Sequence, residues 1–332
     1  MKLIDVHCHV SPKDFPLSPN NSVLGQWPCM RCQGERATLY IGEKMFRILD
    51  ERSWSPSKRL EDMARDHVAM QVLSPMPELL SYWLKASEAE ILCDHSNHQI
   101  AEMIALYPNH FRGLGAIALQ QPELAHQQLS KLKNEFGLSG VEIGSNINGT
   151  LLGDESLEPF WAAAESLKMA VFVHALHPLA TKNLDVNVAY TAFAGFPLDV
   201  GMAISSLIMC GVLERYPQLR VGFSHGGGTI GAMRGRLDLG WKQTGGFGGK
   251  LATKPSELLK RCFFDSNVYD AHYLTLLVTQ IAPGHVFLGT DYPYAIRQEK
   301  PFSYLQSASL DVFSQQSLTV GAAENFLNEK LI

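Results

Sequence analysis

Apolar residues along this chain fall into two alternating patterns. Short, nearly continuous β-branched or aromatic runs cover 3–9, 69–74, 113–119, 140–144, 170–174, 220–224, 262–265 and 286–290. Longer stretches with helical spacing lie between them, at 59–67, 87–107, 122–136, 156–167, 198–215 and 271–281. Runs apolar on both faces read as parallel strands covered by helices rather than as half-solvated hairpins. Eight of them in one domain of this length predict a closed (β/α)8 barrel of the TIM type, an α/β fold, rather than an open doubly wound sheet. Residues 1–332 then form one domain. The stretch 11–56 breaks the pattern, with Pro, Asn, Gly, Trp and two cysteines and no clear period. A structureless loop of that length is improbable in a compact domain, so it predicts a small inserted subdomain after the first strand, with a β element around 37–41.

Composition adds mainly exclusions. The 332 residues are 46% hydrophobic with a formal net charge of −5, which gives no electrostatic reason to expect nucleic acid or an anionic membrane as partner. No uninterrupted apolar run reaches the eighteen or so residues a bilayer span needs. Asp5 and His7 interrupt the N-terminus before an apolar leader region can form, and the first strand starts near residue 3, so a cytoplasmic location is expected. The six cysteines show no paired framework. Cys29 and Cys32 have metal-like spacing but no second pair follows, which favours ordinary thiols in the insert.

The chemistry gathers at strand ends. In a barrel of this type the active site forms at the C-terminal ends of the strands. Those ends carry His7 and His9 in "IDVHCHV", His174 in "VFVHALHP", His225 in "GFSHGGG" and Asp291 in "LGTDYPY". Residues two apart on a strand share a face, so His7 and His9 can both enter the barrel mouth. Four imidazoles and a carboxylate converging there predict a divalent-metal site, and the nitrogen-rich set suits one Zn2+ per chain. His7, His9, His174 and Asp291 are assigned as ligands. Asp291 is also counted with the catalytic groups, and His225 is left as the acid/base. Glu142 is a further carboxylate on the fourth strand; one metal is favoured. The amides of Gly226, Gly227 and Gly228 offer either an anion site at a helix start or close strand–helix packing.

This constellation resembles the amidohydrolase superfamily, and within it the aminocarboxymuconate-semialdehyde decarboxylases and their relatives. The resemblance rests on "IDVHCHV", "GEKMFR", "FWAAAESLKMAVFVH", "SLIMCGVLERYPQLRVGFSHGGG", "GRLDLGW", "FFDSNVY" and "LGTDYP", which extend over nearly the whole chain. It implies zinc at the same four residues and His225 as the catalytic histidine. It also implies that Arg47 and Arg236 hold substrate carboxylate, Arg236 reaching into the partner's pocket in a homodimer. Two departures leave the substrate open. "VHALHP" places His177, a pocket donor or a solvated loop residue, where such decarboxylases read "VHPWD", and 181–197 lacks their tryptophan-rich stretch. The expected activity is non-oxidative decarboxylation of a small unsaturated or aromatic carboxylic acid. Hydrolysis or hydration of a similar acid is the alternative, and a non-catalytic binding module the remote third.

Overall fold

The computed structural model describes residues 2–332. Eight parallel strands stand in the order β1 (Leu3–Val10), β5 (Val68–Pro75), β6 (Phe111–Gly115), β7 (Gly140–Gly144), β10 (Ala170–His174), β11 (Arg220–Phe223), β12 (Phe263–Asp265) and β13 (Val286–Phe287). The intervening numbers belong to the insert strands β2 (Pro28–Gln33), β3 (Arg36–Ile41) and β4 (Lys44–Asp50) and to a short hairpin, β8 (Asn146–Ile147) with β9 (Thr150–Leu151). The first and last barrel strands meet through Val6 N to Leu288 O (2.9 Å), Asp291 N to His7 O (2.8 Å) and His9 N to Tyr292 O (2.7 Å). The sheet thus closes on itself, as the pattern of continuous apolar runs predicts.

Side-chain parity along β1 decides what enters the barrel. Ile4 and Val6 join the interior cluster with Phe172, Phe263 and Phe287, which Phe326 of the C-terminal helix packs against. Cys8 and Val10 pack outward against the helices. The pairing of β1 with β5 is irregular between Asp5 and Cys8, and this shift exchanges the two faces. A bulge of this kind re-aims side chains; here it turns His7 and His9 inward above the apolar floor.

The insert is a complete antiparallel sheet, β2–β3–β4, larger than the single element expected. Two-residue turns join its strands, each opening on a glycine at positive φ, Gly34 (63°) and Gly42 (60°), the arrangement tight hairpins use. Leu39 and Leu49 seat the sheet on Met76 and Leu79 at the barrel's C-terminal end, with Tyr294 alongside. Cys29 and Cys32 are exposed, unpaired and three apart on β2, hence on opposite faces. Among the described residues one helical run, Val188–Met209, is long and apolar enough to cross a membrane by length and composition. Its C-terminal part buries Val200, Ala203, Ile204, Leu207 and Ile208 in the core around the barrel.

Candidate metal centre and active site

His7, His9, His174 and Asp291 are all buried, and one donor atom from each lies within 4.8 Å of the other three. His7 Nε2 stands 3.1 Å from His9 Nε2, and Asp291 Oδ1 lies 3.4 Å and 3.3 Å from these two nitrogens. Tetrahedral ligands at zinc bond lengths are separated by roughly the same 3.3 Å.

The other ring nitrogens fix the tautomers. Nδ1 of His7 donates to Asp265 Oδ2 (2.5 Å), that of His9 to the Pro75 carbonyl (3.0 Å) and that of His174 to the Ala175 carbonyl (2.8 Å). Each ring therefore turns an Nε2 lone pair toward the centre, the orientation that outer carboxylates and carbonyls impose on metal-binding histidines. With both rings neutral, these two lone pairs face each other across 3.1 Å with no proton between them. His174 Nε2 and Asp291 Oδ1 have no hydrogen-bond partner although buried. A donor set that repels itself in this way fits a cation at its centre.

Electrostatics agree. Burial opposes charge on His7, but Asp291 and Asp265 outweigh it and lift its pKa to about 9. Burial dominates at His9, pushing it down to about 4, and holds His174 well below the imidazole range, helped by the neighbouring rings. Burial also works against Asp291 as a carboxylate, yet His7 and His9 keep it below the usual range. The carboxylates favour positive charge here, which a proton on His7 or a divalent ion can supply. Glu142 is buried behind the set, 3.6 Å from His9 Nδ1 rather than among the donors, and burial lifts it to about 8. The described residues thus gather one metal site.

His225 lies above this set, its ring centroid 5.2 Å from His174 and 5.6 Å from His7, stacked on Phe196. Its Nε2 is buried and unpartnered, and burial lowers its pKa. The glycines that follow resolve to packing. Their amides are already committed, Gly226 N to Asp265 Oδ1 (2.7 Å), Gly227 N to Ser224 O (3.1 Å) and Gly228 N to His225 O (2.9 Å). A Cβ on Gly228 would stand 2.0 Å from the Pro197 carbonyl.

These groups open into a cavity of about 1210 Å³ whose walls include His174, His225, Asp291, Arg47, His177, Asn267 and Tyr294. Arg47, on β4, reaches the cavity from the insert with its guanidinium 4.3 Å from the centroid of the Tyr294 ring; that ring stacks on His9 at 5.3 Å. His177, in a left-handed conformation (φ 45°), pairs its Nε2 with Glu78 at 3.1 Å on the cavity wall. Arg236 is exposed on helix Ile230–Gln243 and does not line the cavity. Asp238 beside it pairs with Lys254 instead. Asp265, Asn267 and Tyr294 are the functional candidates that strand-end reading passes over, although "FFDSNVY" contains the first two and "LGTDYPY" ends on the third.

The amidohydrolase family model matches residues 4–319, and the chain belongs to that family. It is 34% identical to a 2-amino-3-carboxymuconate-6-semialdehyde decarboxylase of Dictyostelium discoideum over 98% of this chain and 91% of the relative. Its fold is similar to the crystal structure of 5-carboxyvanillate decarboxylase from Sphingomonas paucimobilis (TM-score 0.76, 25% identity, 82% of this chain and 83% of that one). A 5-carboxyvanillate decarboxylase from Novosphingobium aromaticivorans, solved with bound manganese, is similar in fold at TM-score 0.74 and 22% identity, covering 84% of this chain and 82% of that one.

Proposed function

From that membership we propose that this chain is a metal-dependent, non-oxidative decarboxylase of a small unsaturated or aromatic carboxylic acid. The observation that carries the reading is the pairing, on one cavity, of the inward Nε2 donor set with a histidine whose buried Nε2 is unengaged and with an arginine. The likeness to a decarboxylase along nearly the whole chain supports it.

His7, His9, His174 and Asp291 would hold one divalent ion, zinc by the character of the donors. Such an ion supplies Lewis-acid polarisation of a substrate oxygen. Arg47 offers its planar fork to a carboxylate, steadied by the Tyr294 face. The bond between the substrate carbon and its carboxylate breaks with the electron pair left on carbon. That carbon takes the proton His225 holds, and carbon dioxide leaves, so no oxidant is needed. Phe196, stacked on His225, would set an apolar face beside the carbanionic carbon. Arg236, exposed and turned from its own cavity, would serve the pocket of a second subunit in a homodimer.

The test is to load the protein with zinc or manganese and assay it against aminocarboxymuconate semialdehyde, 5-carboxyvanillate and 2,6-dihydroxybenzoate, following absorbance and carbon dioxide together. Stoichiometric carbon dioxide is the expected result. Consumption without it would transfer the reading to hydrolysis or hydration, and a metal-loaded protein inert to all three acids would refute the assignment.

A further inference from the structure

Asn267 stands two residues beyond β12, lines the cavity and is 1% exposed. Neither its Nδ2 nor its Oδ1 makes a hydrogen bond of good geometry to protein; the amide's nearest polar neighbour is the Tyr269 hydroxyl. A buried carboxamide with both functions unmet is costly, and native structures leave few. Its neighbour Tyr269 gives its hydroxyl proton to the Ile296 carbonyl (2.7 Å). Val268 and Tyr273 extend the same wall.

The backbone beneath this amide is fixed to the reacting groups. Asp265 Oδ1 accepts from Asn267 N (3.1 Å) and Gly226 N (2.7 Å), while Oδ2 accepts from His225 N (2.9 Å) and from the ring of His7 (2.5 Å). One carboxylate therefore sets the position of a metal ligand, of the candidate proton carrier and of Asn267 together. A side chain supported in this way is a rigid reader of what enters the cavity.

We propose that Asn267 determines specificity by reading a hydroxyl or primary amino substituent on the acid, close to the carbon that His225 serves. Either substituent both donates and accepts, so it satisfies Oδ1 and Nδ2 at once, whereas a bare C–H leaves both unpaired. Sites built on such a hydrogen bond reject the analogue that lacks it far more strongly than apolar pockets discriminate size. The inference rests on the decarboxylase reading for its substrate class.

The experiment measures binding of 2-hydroxybenzoate, 2-aminobenzoate and benzoate to the metal-loaded protein by calorimetry, in wild type, Asn267→Leu, Asn267→Ala and Tyr269→Phe. Wild type and Tyr269→Phe are expected to prefer both substituted acids over benzoate by about tenfold or more; Asn267→Leu and Asn267→Ala reduce that ratio to within about threefold. Metal content stays unchanged, and Asn267→Leu melts no lower than wild type because it replaces unmet polar atoms with carbon. A wild type without the preference, a preference that survives in both Asn267 variants, or its loss in Tyr269→Phe overturns the proposal. Carbon dioxide release by wild type reports separately on the decarboxylase reading.

Discussion

Replacing Asp265 by Asn tests the metal centre from behind. The side chain keeps its shape, but one of its two oxygens becomes an NH2 group, and all four present partners are N–H donors. Turned toward Oδ1, the new NH2 opposes two backbone amides, which cannot change their protonation. Turned toward Oδ2, it opposes the His225 amide and His7 Nδ1, and His7 can respond by moving its proton to Nε2. That relieves one clash and removes one of the four metal donors. Loss of such an outer partner typically weakens metal binding by 10–100-fold, or about 1.4–2.7 kcal/mol. With free metal at about 100 times the wild-type Kd, binding stabilises the fold by about 2.7 kcal/mol; a 100-fold weaker site retains about 0.4. For 332 residues, an unfolding entropy of about 2.1 cal/mol/K per residue makes the difference worth about 3 °C of metal-induced Tm shift. Chelator competition and paired melts with and without zinc measure both quantities. Wild-type affinity within twofold, together with an undiminished Tm shift, would refute the tautomer argument.

Other perturbations separate the remaining roles. His174→Ala should lose metal and activity together, measured by elemental analysis and turnover, because its Nε2 has no protein partner in the resting site. His225→Asn should keep the metal yet lose roughly two or more orders of magnitude in kcat, the scale of a positioned proton carrier. Gly228→Ala should destabilise the fold by about 2 kcal/mol or more in denaturant melts: φ is 57°, ψ is −122°, and the Pro197 carbonyl lies 2.0 Å from the new Cβ. At Glu158, burial raises the pKa but Arg215 and Tyr216 outweigh it and hold it below its ordinary 4.5. Its stabilising contribution is therefore present above that value and lost as pH falls through the lower folded one; Glu158→Gln should melt below wild type near neutral pH, with the gap closing in acid.

Fold class was legible because a parallel barrel imposes the same burial on every strand. Each of the eight apolar runs overlaps an observed barrel strand, and only their ends move. The run 113–119 yields a strand over Phe111–Gly115, and 286–290 shortens to Val286–Phe287; beyond these limits the chain leaves the ladder while staying buried, which hydrophobicity cannot register. The insert was harder for a different reason. Its sheet exposes Met45 and Ile48 and buries only a few residues such as Leu39 and Leu49, so the alternation is weak. The better signal was chemical: "QGER" and "IGEK" each place glycine to open a two-residue turn.

The site shows where such reading stops. Histidine is uncommon at the end of an apolar strand, so His7, His9, His174 and His225 stand out by type alone. Asp265 also ends a strand, but a lone carboxylate there is as consistent with a helix cap or a solvated loop, and its role depends on four donors that arrive from positions 7, 225, 226 and 267. Parity carries the same lesson. In a strictly alternating β1, the interior residues Ile4 and Val6 would take Cys8 inside with them and send His7 and His9 outward. The irregular register between Asp5 and Cys8 reverses this. His-x-His correctly implies a shared face, but which face is set by pairing with β5 and β13, and so by residues more than 60 and 280 positions away. A residue's type announces a ligand; the long-range partners that aim and protonate it make it one.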